Sequence, residues 1–167
     1  MQYFFFFGHA GGRPDDPGGA IFFYNGTESY LIAENRGYIP VGDHYYLSST
    51  TTELNDILLA VYEGCYTGKT SSYFGNLVDV SSQKGIDNSI GFGQKIYSPH
   101  AEYWSERFWY RCLYGQNGNH QTIKNAANGA VQDIMIKYGD HYGFLYMYTR
   151  YRPPYHDYLD PARYGVV

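Results

Sequence analysis

The sequence predicts an α/β fold with a mostly parallel sheet. Short apolar runs alternate with longer stretches of helical periodicity, and two of those runs, Tyr3 to Phe7 and Ile57 to Tyr62, end in glycine turns that carry chemistry-bearing residues. Gly8-His9 follows the first run and Glu63-Gly64-Cys65 follows the second. If the runs are neighbouring parallel strands, both side chains emerge at the carboxyl edge of one sheet, where open α/β sheets place their ligand sites.

The remaining elements follow in chain order. Residues 11 to 19, Gly-Gly-Arg-Pro-Asp-Asp-Pro-Gly-Gly, are a loop by their density of breakers. Ala20 to Tyr24 and Ser29 to Ala33 read as a hairpin around Asn25-Gly26, with Asn25-Gly26-Thr27 also matching a glycosylation acceptor. Leu47 to Asp56 is ambiguous, with a Ser/Thr-rich start suited to one or two helical turns. Phe74, Leu77 and Val78 have helical spacing ahead of Gly85, and Ser89 to Phe92 is a short strand.

Two longer helices complete the pattern. Ser98-Pro99 supplies a cap and a first-turn proline for a stripe of Ala101, Trp104, Phe108 and Cys112. Ile123, Ala126, Ala127, Ala130, Val131, Ile134 and Tyr138 form a second stripe closed by Gly139. Phe144 to Tyr148 is the last predicted strand. The expected division is therefore one α/β domain over 1–150 and an irregular tail over 151–167.

Composition narrows the function classes. A hydrophobic fraction of 44% and a charged fraction of 17% over 167 residues describe one folded domain. A net charge of −4 without a Lys/Arg cluster argues against a nucleic-acid groove. No run of 18 apolar residues is present to span a membrane, and Phe4 to Phe7 is too short for the apolar core of a signal peptide. With 21 Tyr and 10 Phe, the surface must carry many aromatic rings, the composition of an interface. An extracellular or cell-surface setting is the expectation for such a surface. Cys65 and Cys112 allow one bridge or two free thiols. His44, His100, His120, His141 and His156 have no metal-ligand spacing, and Gly91-Phe92-Gly93 is no dinucleotide fingerprint, so neither a metal nor a cofactor is expected.

The strand-Gly8-His9 and strand-Glu63-Gly64-Cys65-Tyr66-Thr67-Gly68 segments together resemble the caspase-like cysteine peptidases, which include caspases, legumains, gingipains and clostripains. The resemblance runs on through Gly85-Ile86-Asp87-Asn88-Ser89-Ile90-Gly91-Phe92, the helix bearing Ala101, Trp104, Phe108 and Trp109, and the Ala-rich helix, covering roughly residues 3 to 150. It implies a three-layer sandwich, a nucleophilic Cys65 and His9 as acid/base. It further implies an oxyanion site of the Cys65, Ala10 and Gly11 backbone N–H groups, and Glu63 as the carboxylate that selects a basic or Asn side chain before the scissile bond. Ala10 stands where the family commonly has glycine.

The family also has two strand-helix units before its His-bearing strand, whereas here Met1 lies two residues before that strand. The expectation is either a piece of a longer precursor or a chain that has lost the unit. In the second case Tyr3, Phe4, Phe5, Phe6 and Phe7 form an exposed apolar edge, which pairs with another chain unless protected. Two function classes follow: a cysteine endopeptidase with a peptide substrate, or a non-catalytic, self-assembling filament or surface-layer subunit whose partner is a second copy through that edge.

Overall fold

The computed structural model describes residues 2–24, 26–51, 53–115, 119–139 and 147–151. Its frame is a four-stranded sheet in the order β1 (Gln2–Phe7), β5 (Ile57–Glu63), β6 (Asn88–Phe92), β7 (Met147–Tyr151). The first three strands are parallel and β7 is antiparallel to β6. A smaller three-stranded sheet of β2 (Ala20–Tyr24), β3 (Glu28–Ile32) and β4 (Asp43–Tyr46) fills the connection from β1 to β5, together with a 3-10 turn at Leu47–Ser49. The chain is thus a mixed α/β protein with a mostly parallel sheet and, among the described residues, three helices: α1 (Leu77–Gln83), α2 (Ser98–Leu113) and α3 (Ile123–Tyr138).

Alternation along β5 divides the core. Leu59 and Val61 project to one face and join Trp104, Phe108 and Cys112 of α2 and Ala126, Ala130 and Ile134 of α3. Ala60 and Tyr62 project to the other and join Leu77, Val78 and Val80 of α1 with Phe6 and Ile21. Because β5 is central and covered on both sides, it reads as a continuous apolar run. On β1 the same alternation sends Tyr3 and Phe5 onto Trp109 of α2, at ring centroid distances of 6.4 and 5.8 Å, and Phe4 onto Tyr62 at 5.5 Å.

Helix ends are fixed locally. The Asn76 carboxamide oxygen accepts from the N–H groups of Val78 and Asp79, and the Thr122 hydroxyl accepts from Asn125 N–H. The expected Ser98 cap is corrected: Tyr97 occupies the cap position, no side chain caps it, and Pro99 in the first turn sets the entry instead. Asp133 of α3 accepts from Arg107 at 2.7 Å and from Arg111 at 2.8 and 3.0 Å, tying the two long helices together at half-buried positions. Although partial burial pushes the Asp133 carboxyl up, the two guanidinium partners hold it below the usual range.

Several sequence expectations shift. The hairpin's second strand is Glu28–Ile32 and not 29–33, while Asn25 lies outside the described residues. Among the described residues of the Leu47 to Asp56 stretch, the helical element is the short 3-10 turn. The last strand is Met147–Tyr151, so residues 144 to 146 of the expected strand, like the tail from 152 onward, lie outside the described residues. β4 was not expected at all. No helix among the described residues is long and apolar enough to cross a membrane.

Trp104 is the keystone of the α2 face: fully buried, it stacks on Phe108 at 4.9 Å and meets Phe92 edge-on at 5.1 Å. Trp104→Ala should lower the unfolding free energy by roughly 3–5 kcal/mol, read from urea denaturation at neutral pH. Arg36→Ala, a half-exposed surface position, serves as the control and should change it by less than about 1 kcal/mol.

Candidate functional site

The site begins where the paired strands β1 and β5 stop. Their register sets Phe7 opposite Glu63, so the two following turns leave the same carboxyl edge side by side. Gly8 N–H donates to the Glu63 carbonyl at 3.2 Å, extending the pairing by one residue. A Cβ built on Gly64 would lie 2.6 Å from the Ala10 Cβ and 2.9 Å from the Gly8 carbonyl oxygen, distances no side chain tolerates. Glycine at 64 therefore lets the His9 turn and the Cys65 turn pack backbone against backbone.

Each turn is then pinned from its far side. His9 carbonyl accepts from Phe22 N–H at 3.1 Å and Gly11 N–H donates to the Ala20 carbonyl at 3.0 Å, an isolated antiparallel bridge to β2. The His9 side chain is exposed. In the other turn the Thr67 hydroxyl donates to the Tyr62 carbonyl at 2.6 Å and accepts from Phe92 N–H at 3.0 Å. Tyr66 N–H donates to the Gln94 carbonyl, and Gly68 N–H to the Phe92 carbonyl, both at 3.0 Å. Gly68 and Gly91 touch so closely that a Cβ on Gly91 would lie 2.8 Å from the Gly68 nitrogen.

Cys65 is half-buried and free. Its sulfur receives Ile96 N–H at 3.4 Å and its S–H faces the Ile96 carbonyl at 3.6 Å. The next residue, Tyr66, holds a φ of 61°. For a bulky side chain that left-handed conformation costs on the order of 1–3 kcal/mol, strain that collects at functional turns. Beside it opens a pocket of about 450 Å³ lined by Tyr66, Lys69, Gly93, Gln94, Lys95 and Tyr97. Cys112, by contrast, is sealed in the α2 core, and burial pushes its thiol far up, so it has no role as a nucleophile.

Two sequence assignments are corrected. Glu63 is only 1% exposed; it points to the α2 face, where the Ser105 hydroxyl donates to one carboxylate oxygen while the other has no hydrogen-bond partner among the described residues. A carboxyl closed off by a helix cannot read a substrate side chain. The i, i+2 relation to Cys65 gave the face of the strand but not the helix that covers it. Gly11 leaves the oxyanion set as well, because its N–H is spent on Ala20. The Ala10 and Cys65 N–H groups donate to no group among the described residues.

Of the expected edge residues, Phe6 belongs to the core at 8% exposure, whereas Phe5 and Phe7 are exposed, and Tyr3 and Phe4 are half-buried. Thr67, Ile96 and Tyr66 are the site residues that sequence reading passed over. The Cys65-Tyr66-Thr67-Gly68 run carried a signal for the first, since a hydroxyl two residues after the cysteine can tie a turn to the preceding strand. Among the described residues no group of three or more His, Cys, Asp or Glu side chains could hold a metal. No family model matches the chain, and no curated protein matches it significantly.

Burial pushes the Glu63 carboxyl up to about 8, with the Ser105 hydrogen bond opposing. Its folded value therefore lies above its unfolded one near 4.5, and the folded state holds a proton that the unfolded state releases across that interval. The Glu63 contribution to stability then falls as pH rises from about 4.5 to about 8, by up to about 1.4 kcal/mol per pH unit. Glu63→Gln should match wild type near the lower limit and become the more stable protein toward the upper, as read from urea midpoints across the range. A constant difference between the two proteins would show that Glu63 is ionised when folded.

Proposed function

We propose that the chain is a cysteine peptidase built on a caspase-like three-layer scaffold, with Cys65 as nucleophile and His9 as acid/base. The observation that carries this reading is the convergence of the two turns at one sheet edge, with Gly64 against Gly8 and Ala10. Cys65 attacks the peptide carbonyl carbon as thiolate, forming the C–S bond, and the negative charge moves to the carbonyl oxygen, which the Cys65 and Ala10 N–H groups receive. The tetrahedral adduct collapses by breaking the C–N bond while His9 protonates the departing amine. Water, deprotonated by His9, hydrolyses the thioester and restores the thiol.

The substrate side chain follows from the open pocket and not from Glu63. Beside Cys65 the accessible charges are Lys69, which lies over the Tyr66 ring and acts on the Asp16 carboxylate, and Lys95, which lies over the Tyr97 ring. They favour an acidic side chain, which reverses the expectation of a basic or Asn residue.

Labelling with peptidyl acyloxymethyl ketones tests the dyad. An Asp-bearing probe should modify Cys65 faster than its Arg-bearing counterpart, and His9→Ala should slow modification by roughly 100-fold or more, with intact mass and peptide mapping as the readout. Labelling that ignores His9 would contradict the proposal.

A second reading, a self-assembling structural subunit, is favoured by the edge of β1. Among the described residues its outer side has no partner strand, and Phe5, Phe7, Phe23 and Tyr24 are exposed around it. An unpaired apolar edge of this kind recruits another strand. On this reading wild type sediments as an oligomer, Phe7→Glu gives a folded monomer, and Phe6→Glu unfolds because Phe6 is core. A wild type that stays monomeric at high concentration removes the assembly reading and leaves the peptidase.

A further inference from the structure

A second pocket lies away from Cys65, on the small sheet. It holds about 270 Å³, at the lower end of the range for ligand sites and suited to a group the size of a side-chain head. Ala20, Ile32 and Phe74 form its buried floor. Its walls are rings set nearly at right angles: Phe22 meets Tyr30 at 4.9 Å and 89°, and Tyr38 meets Phe74 at 5.6 Å and 69°.

The charges at its rim are unequal. Arg13 is already satisfied, since its guanidinium makes two hydrogen bonds to Asp15, at 2.9 and 3.1 Å, and lies over the rings of Tyr73 and Tyr38, at 4.7 and 5.1 Å. Of the two rings beneath Arg13, Tyr38 lines the pocket and Tyr73 lies outside its lining. Glu28 is the uncompensated charge: it accepts a hydrogen bond from the Tyr30 hydroxyl at 2.8 Å and has no cationic partner among the described residues. Arg13, Asp15 and Glu28 together leave one negative charge beside faces that are themselves electron-rich.

The loop forming one wall is preorganised. Asp16 accepts hydrogen bonds from Ser71 Oγ at 3.1 Å and from Ser72 N–H at 2.7 Å and its hydroxyl, and these, the Ser72 hydroxyl foremost, hold its carboxyl below the usual range. Gly12 fits so closely that a Cβ there would lie 2.8 Å from the Gly18 carbonyl oxygen. The cavity therefore needs little ordering to receive a ligand.

We propose that this pocket binds an alkylammonium group, with Glu28 as counter-ion and Phe22, Tyr30 and Phe74 as the enclosing rings. The chemistry is common to a lysine side chain presented by a peptide and to a small free amine. The site is independent of the Cys65 dyad.

Calorimetric titration of the full chain tests it with choline, with Nα-acetyl-lysine methylamide, and with the neopentyl-type alcohol that is the uncharged isostere of choline. Saturable binding of at least one cation, with the alcohol weaker by roughly tenfold or more, is the expected result. Tighter binding of choline assigns the site to free amines, and tighter binding of the lysine derivative assigns it to peptides. Glu28→Gln, an exposed position, should weaken the cation by roughly tenfold and leave the alcohol unchanged; Phe22→Leu should weaken the cation more than the alcohol. Equal binding of alcohol and cation, indifference to Glu28→Gln, or no saturable binding by either cation would overturn the proposal.

Discussion

Parallel pairing of β1 with β5 is the constraint on which the rest of the molecule depends. Backbone hydrogen bonds fix the register from Tyr3 opposite Leu59 to Phe7 opposite Glu63, and a slip of one residue would exchange every core and solvent face. That register decides which aromatic rings of β1 reach Trp109 and which reach Tyr62. It also delivers the two turns to the same point, where Gly64 is required because the Gly8 carbonyl and the Ala10 methyl occupy the space of a side chain. The small sheet then clamps the His9 turn through Phe22 and Gly11, so both halves of the chain hold the edge in place.

Around that edge the protein keeps features that ordinary folding would remove. Tyr66 adopts a left-handed conformation, and Glu63 is buried with one oxygen unsatisfied among the described residues. Both work against stability, the first through strain and the second through desolvation. They persist because Thr67, Gln94 and Phe92 over-determine the loop with hydrogen bonds. Held neutral below its raised titration range, Glu63 adds no negative charge beneath a turn in which a thiolate is proposed to form.

Much of the fold was legible in the sequence because its signals were strongly periodic. The α2 and α3 stripes, the apolar β5 run and the glycine turns gave their elements to within a residue or two. β4 is not legible because Asp43-His44-Tyr45-Tyr46 has no apolar alternation; its pairing to β3 is backbone-driven, with Asp43 and Tyr45 exposed and His44 and Tyr46 half-buried. The cap of α2 was misread because proline in the first turn, not a serine oxygen, starts that helix. The site was legible in part: the turns carrying His9 and Cys65 followed from strand ends, whereas the roles of Glu63 and Gly11 depended on Ser105 and Ala20, partners 42 and 9 positions away in the chain. Spacing along one strand does not reveal what another element lays over it.

Bifunctional alkylation tests the central claim most directly, because it reads the proximity of two side chains without assuming turnover. A dihaloacetone, whose three-carbon unit links a thiol to an imidazole, would be reacted with the native protein and the digest mapped by mass spectrometry. The account predicts one bridged product joining the His9 and Cys65 peptides, lost in His9→Ala and in the unfolded protein. Alkylation of Cys65 alone in the native protein, with His9 unmodified, would contradict it.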